Sequence, residues 1–253
     1  MSGRHRTRLA PRVPRLVVGA ALFAALVFLM PSTAPFFAWA FPGVAPPVYQ
    51  SESFPTLVLA HAWLVAASSA VSATVGVGLG IVATRQGGRE LRAIVGAIAT
   101  IGQTMPPVAV LALAVPALGY GTAPTMVALA LYGLLPVVEN TLAGLDGVAP
   151  DIVEAARGIG LSSGQVLLRV ELPLAAPAIV AGIRTSVIIN IGTATIGSTI
   201  GAVTLGSPII DGLVSDLLPY VLQGAVIVAA LAILVDAAFE PLERSVRRQP
   251  VGD

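Results

Sequence analysis

Apolar positions along the chain run in long unbroken segments rather than in alternation, and polar residues gather in the short stretches between them. The segments are Leu16 to Met30, Leu57 to Thr84, Leu91 to Leu118, Thr122 to Leu142, Ala176 to about Ile200, and Leu218 to Ala238. At a rise of about 1.5 Å per residue, helices of this order cross a hydrocarbon core about 30 Å thick, with tilt or interfacial residues taking up the difference. The pattern predicts an all-α, polytopic membrane protein with six transmembrane helices. The first segment also fits a signal peptide, since Ala38-Trp39-Ala40 imitates a cleavage site. Pro31 and the aromatic patch Phe36, Phe37 and Trp39 instead suit a retained span emerging into an outer interface. Pro31 to Pro55 is expected as a short extracytoplasmic loop, and Gly201 to Pro219 as another loop.

One polar interruption has a pattern of its own. Asp151 to Pro173 reads DIVEAARGIGLSSGQVLLRVELP. Pro150 is tolerated in a first helical turn, and Asp151 and Glu154 sit near the positive end of the helix dipole. Gly160 closes this helix. Ile152, Ala155, Ala156 and Ile159 fall at helical spacing, a narrow apolar face on which two alanines permit close approach. Ser162 and Gln165 have capping-box spacing and start a second short helix, which Pro173 is expected to interrupt. The result is a helix-turn-helix hairpin between the fourth and fifth spans.

Polar residues inside the segments suggest where a path crosses. Ser68, Ser72, Gly76 and Gly80 recur every four residues and read as a close-packing seam. Gln103-Thr104-Met105-Pro106-Pro107 interrupts the third span with two prolines, which free carbonyls near Gly102 and Gln103. Such a kinked helix suits a permeation path, with Gln103, Thr104 and Pro106 as candidate residues, or it is a structural kink. The fifth span carries Arg184, Thr185, Ser186, Asn190, Thr193, Thr195 and Ser198, too polar a set for every member to face lipid. Asn190 and Thr193 are candidate pathway residues; for Asn190 a bond to a neighbouring helix explains the residue equally well. Arg184 is expected to snorkel.

Charge sets the orientation. Five arginines precede the first span, three lie between the second and third, two lie in the hairpin and three follow the sixth, while the other connections have none. The positive-inside rule then places both termini and the hairpin in the cytoplasm, flanking a single domain at 16–240 with tails at 1–15 and 241–253.

Composition narrows the chemistry. At 56% hydrophobic and 11% charged, the 253 residues belong in a bilayer, in contact with membrane lipid. All basic residues are arginine, so the chain contains no GxxxxGK[ST] phosphate loop and no Schiff-base lysine. Cysteine is absent, and His5 and His61 make no HExxH site; they read as a tail residue and an interfacial residue. No metal, cofactor or nucleic acid is expected. Carboxylates that an ion-coupled carrier would need are limited to Glu139 and Asp236, near the inner ends of their spans. Trp39, Trp63, Tyr49, Tyr120 and Tyr220 read as outer-interface anchors.

Glu154-Ala155-Ala156, then Gly160, then Leu172-Pro173 resemble the EAA motif of permease subunits of bacterial ABC importers, with Val170 where isoleucine is usual. The segments Pro47 to Phe54, Ile101 to Gly119 and Glu171 to Ile210 are similar to the osmoprotectant branch of that family, most of all to its Yeh-type betaine permeases. The resemblance implies a bacterial inner-membrane permease, without ATPase activity of its own, for glycine betaine or related quaternary ammonium compounds. An amino acid or other small solute is the alternative cargo, and ion-coupled secondary transport the rival class. It implies three protein partners: an ATP-binding subunit, a second permease subunit, and a periplasmic or lipid-anchored substrate-binding protein. Glu154, Ala155, Ala156, Ile159 and Gly160 would then couple to the ATPase.

Overall fold

The computed structural model describes residues 13–85 and 88–247. Arg4, His5, Arg6, Arg8, Arg12 and Arg248 lie outside the described residues, and so do the side chains of Arg89 and Gln103. Among the described residues the fold is helical, without a strand: α1 (Val13–Leu29), α2 (Ala34–Ala40), α3 (Phe54–Ala83), α4 (Gly88–Thr104), α5 (Pro107–Leu118), α6 (Thr122–Asp146), α7 (Pro150–Gly158), α8 (Ser163–Val166), α9 (Leu172–Thr193), α10 (Ser207–Val214) and α11 (Leu218–Arg247). Five stretches are long and apolar enough to cross a membrane: Arg15–Ala40, Phe54–Ala83, Thr122–Asp146, Ser163–Ile200 and Leu218–Val246.

The segment expected as the third span is instead two helices. Proline disfavours helical backbone in the residue before it, and Pro106, which precedes Pro107, sits at φ −57°, ψ 135°. Helix α4 therefore ends and α5 starts afresh, too short by itself to span. Helix α4 uses Val95 to pack on Leu134, Val138 and Leu142 of α6.

The first helix runs on past Met30 through a 3-10 turn, Met30–Thr33, into α2. Pro31 and Pro35 fall in first turns, where the missing amide is not needed, so neither ends the rod. The expected outer loop after Gly201 contains α10, whose Pro208 likewise opens its helix.

Helix α6 is the centre of the bundle. On one side Gly76 and Gly80 of α3 receive Val137 and Thr141, whose Cβ atoms approach so closely that a side chain at either glycine would collide, at 2.8 and 2.7 Å. The four-residue repeat of the small residues thus meets a four-residue repeat on α6, a ridge in a groove, and the seam is confirmed. On the other side α9 runs antiparallel to α6, with Gly182 against Asn140 and Ser186 against Gly133.

His61 is fully buried rather than interfacial. The Leu205 amide donates to its Nδ1 at 3.3 Å, so the proton resides on Nε2, which donates to the Ile191 carbonyl at 3.1 Å. The histidine bridges α3 to the end of α9, where the backbone tightens into a 3-10 segment, Ala194–Ile200.

Tyr49 and Tyr220 are buried ties rather than belt residues. The Tyr49 amide donates to Gln223 Oε1 at 3.0 Å, Gln223 Nε2 donates to the Pro47 carbonyl at 2.9 Å, and Tyr220 donates to the Pro46 carbonyl at 2.9 Å. Tyr49 Oη donates to Asp211 at 3.0 Å, and burial, with the nearby carboxylate adding to it, pushes the Tyr49 hydroxyl up to about 12. Trp39, Trp63 and Tyr120 remain largely exposed.

Candidate functional site

The hairpin is built from local signals that agree. Helix α7 carries Pro150 and Asp151 in its first turn and Arg157 in its last, complementing the dipole at both ends. Gly160 has φ +90°, the Leu161 amide donates to the Ala156 carbonyl at 3.2 Å and the Gly160 amide to Arg157 at 2.9 Å. That pair of bonds is a Schellman termination, which requires a residue at ease with positive φ. Ser162 and Gln165 form the expected reciprocal cap, with the Ser162 amide donating to Gln165 Oε1 at 2.9 Å.

The apolar face of α7 divides. Ala156 is 6% exposed and turned toward its own protein, whereas Ile152 is 42% and Ile159 80% exposed, with Ala155 and Glu154 also outward. The spacing alone placed Ala156 among the outward residues. A short helix has to seat one edge on the chain that carries it, and a small side chain takes that position.

Pro173 does not interrupt the helix that follows. Between α8 and α9 the chain forms a π-helical turn, Leu167–Glu171, so the helical path is continuous. The wider turn relieves the clash between a proline ring and the carbonyl one turn back. Glu171 within this turn accepts a 2.7 Å ion pair from Arg85 Nη1 at the end of α3, and Arg92 of α4 pairs with Asp146 at the end of α6 at 2.6 Å. The hairpin is thereby tied to the bundle.

Deeper in the bundle lies Asn190. It is fully buried, and its Nδ2 donates to Ser69 Oγ of α3 at 2.9 Å, a bond between neighbouring helices. Asn190 Oδ1 and Ser186 Oγ are buried without a partner. Ser72 Oγ donates to the Ala130 carbonyl at 2.8 Å, so serines from two helices and this asparagine surround Gly133 of α6.

The proline break lies at the start of α5, beside the end of α9. Tyr132 Oη donates to the Met105 carbonyl, supplying a freed backbone acceptor with a partner. Met105, Val110, Leu111 and Tyr132 pack with Ile189 and Ile196, which bracket half-buried Thr193 along α9. Thr104 and Pro106 are exposed at this break. Thr193 and the break therefore share one region, about one helical turn from Asn190. Tyr132 is the residue that sequence reasoning missed; a tyrosine well inside an apolar span, away from the interface, needs a partner for its hydroxyl and was the available signal.

Arg184 does not extend alone toward the membrane surface. Its Nε and Nη2 both lie 2.7 Å from Asp236 Oδ1, and its Nη1 lies 3.0 Å from Glu243 Oε1.

The chain is similar to known proteins in sequence and in fold. The family described as the binding-protein-dependent transport system inner membrane component matches residues 76–248. The choline transport system permease protein OpuBB of Bacillus subtilis is 45% identical over 170 residues, covering 67% of this chain and 77% of that relative. The osmoprotectant import permease protein OsmY of Salmonella typhimurium is 41% identical over 176 residues, 70% of this chain and 75% of the relative. An inward-facing structure of the MetNI methionine ABC transporter shares the fold with a TM-score of 0.68, covering 77% of this chain and 96% of that one at 21% identity. The chain thus belongs to the inner-membrane components of binding-protein-dependent transport systems, as an ABC permease related to those of osmoprotectant uptake.

Proposed function

We propose that this permease forms half of the translocation pathway for glycine betaine or related quaternary ammonium compounds, driven by ATP hydrolysis on a separate subunit. The observation that carries the reading is the hairpin: outward Ile152, Ala155 and Ile159 beside Glu154 make a short apolar ridge on a capped helix, suited to insertion into a groove of the ATP-binding subunit. Gly160 sets its end and Ala156 seats it. The absence of lysine from the whole chain agrees with an external ATPase.

In this reading α4 and α5 together make the third of six crossings, a discontinuous helix of the kind that lines a cavity. Arginine placement puts both termini and the hairpin on the cytoplasmic side. The domain extends over 16–240 between two tails. A second permease subunit closes the pathway, and a periplasmic or lipid-anchored binding protein supplies cargo to the opposite face. Thr104 and Pro106 at the break line the path with Thr193, and Gln103 is assigned to the same path from the sequence alone. Asn190 stands behind that wall and ties α9 to α3. The names of the relatives support the cargo class, and with thirteen aromatic residues in the chain the tight aromatic cage for a quaternary ammonium belongs to the binding protein.

The test is uptake of radiolabelled choline and glycine betaine by proteoliposomes containing the permease, its ATP-binding subunit and the binding protein. ATP-dependent uptake that Glu154→Arg abolishes, with the permease still folded, is the expected result. Uptake without the ATPase subunit, or normal uptake by E154R, overturns the coupling assignment; ATP-driven uptake of neither compound overturns the cargo.

A further inference from the structure

A groove of about 680 Å³ runs between α1 and α11 and is lined by residues of those two helices, not of the hairpin or the proline break. Its long walls are apolar, formed by Leu22, Phe23 and Leu26 on one side and Ala230, Ile233 and Leu234 on the other. The helices touch at Gly19, where an added methyl would meet Leu234 at 3.6 Å, and leave the trough between them open to the surroundings. Leu22 and Ile233 are 66% and 71% exposed, so little of the described chain covers it.

One end of the groove is different. Arg15, Arg244 and Glu240 line it there, with Arg244 paired to Glu240, leaving one more positive than negative charge. Pro241 lines the same end and lacks the amide that would cap the Ala237 carbonyl one turn back, also at the groove. From Arg15 to Leu26 helix α1 rises about 16 Å, about half the thickness of a 30 Å hydrocarbon core. An apolar trough one leaflet long, with guanidinium groups and a freed carbonyl at its polar end, has the dimensions and the charge of a phospholipid.

We infer that this groove is a binding site for one anionic phospholipid of the leaflet that faces the arginine-rich side. The acyl chain lies along Leu22, Leu26 and Ala230. The phosphate sits between Arg15 and Arg244, and a headgroup hydroxyl donates to the Ala237 carbonyl. A zwitterionic lipid fills the same trough but gains less at its head, because its own cation meets the two guanidinium groups.

The experiment is native mass spectrometry of the full-length permease, extracted from vesicles of equal parts phosphatidylglycerol and phosphatidylcholine. Wild type is expected to retain phosphatidylglycerol over phosphatidylcholine by roughly tenfold, since each basic group near an anionic surface favours binding. The Arg15→Gln/Arg244→Gln double variant brings the ratio to that of the bulk lipid, whereas Arg157→Gln/Arg169→Gln, with the same loss of charge elsewhere, leaves it unchanged. Ala230→Phe, which fills the trough without altering charge, lowers retention of both lipids. Equal retention of the two lipids by wild type, an undiminished preference in the Arg15/Arg244 variant, or displacement of phosphatidylglycerol by added inorganic phosphate alone would overturn the assignment.

Discussion

Arg184 on α9 grips Asp236 on α11 through two nitrogens that converge on one carboxylate oxygen, each at 2.7 Å. Glu243, two turns further along α11, accepts from the third nitrogen at 3.0 Å. A carboxylate held this way is occupied, which is a poor arrangement for picking up and releasing a driving ion. Asp236→Asn is expected to lower thermal stability by about 1 kcal/mol or less, as suits a partly exposed pair, while ATP-driven uptake continues and stays insensitive to a protonophore. Loss of uptake in D236N with an unchanged melting temperature would point to an ion-carrying role instead.

Two glycines in the hairpin, Gly158 and Gly160, should respond to alanine with opposite signs. Gly158 is helical and an added methyl meets nothing, so Gly158→Ala is expected to favour α7 by up to about 1 kcal/mol. Gly160 has equal space but φ +90°, and Gly160→Ala costs about 1–2 kcal/mol through backbone alone. Amide exchange at Ala156, Arg157 and Leu161 reads the difference: slower in G158A, faster in G160A.

Gly133 faces Ser186, Ser72 and Asn190, with no room for a methyl between them. Gly133→Ala should destabilise the bundle by about 1–3 kcal/mol through overpacking. Ser186→Ala removes a buried hydroxyl that has no partner and is expected to be neutral or stabilising. Combining them should recover part of the loss, a coupling that a double-mutant cycle on thermal unfolding measures directly. Strict additivity would show that the two residues do not share the same space.

Tyr132→Phe deletes the hydroxyl that satisfies the Met105 carbonyl. Loss of that bond is expected to cost about 1–2 kcal/mol and to loosen the break between α4 and α5. Faster labelling of a cysteine at Thr104 in the Y132F background, relative to T104C alone, is the measurement.

Alkaline pH should act on the segment between α2 and α3 through Tyr49. Its hydroxyl titrates near 10.0 when unfolded and is pushed up to about 12 in the fold by burial. A raised value means that the stabilising contribution is complete below about pH 10 and disappears as pH rises through about 12. Melting temperatures recorded across this window should fall more steeply for wild type than for Tyr49→Phe.

The hairpin was legible because every one of its signals is local. Pro150, Gly160 and the Ser162–Gln165 cap each act within a few residues, and the Ser/Gly repeat of α3 announced its seam for the same reason. What was not legible depends on partners far along the chain. Arg184 finds its carboxylates 52 and 59 residues away, and His61 finds the Ile191 carbonyl 130 residues away, where a helix happens to tighten. The two prolines at 106 and 107 forecast a disturbance. That it becomes a full break follows from the extended backbone of Pro106 and from a hydrogen bond that Tyr132 of another helix supplies.

The π turn at Leu167–Glu171 has a mechanical consequence. By absorbing Pro173 within a continuous helical path, it leaves Ser163–Ile200 a single run of 38 residues, roughly 55 Å from end to end. A continuous helical run has little slack. A push on the hairpin at Ser163 is therefore expected to tilt Ile200 at the far end of the run in the same stroke, pivoting near Gly182 and its Asn140 neighbour.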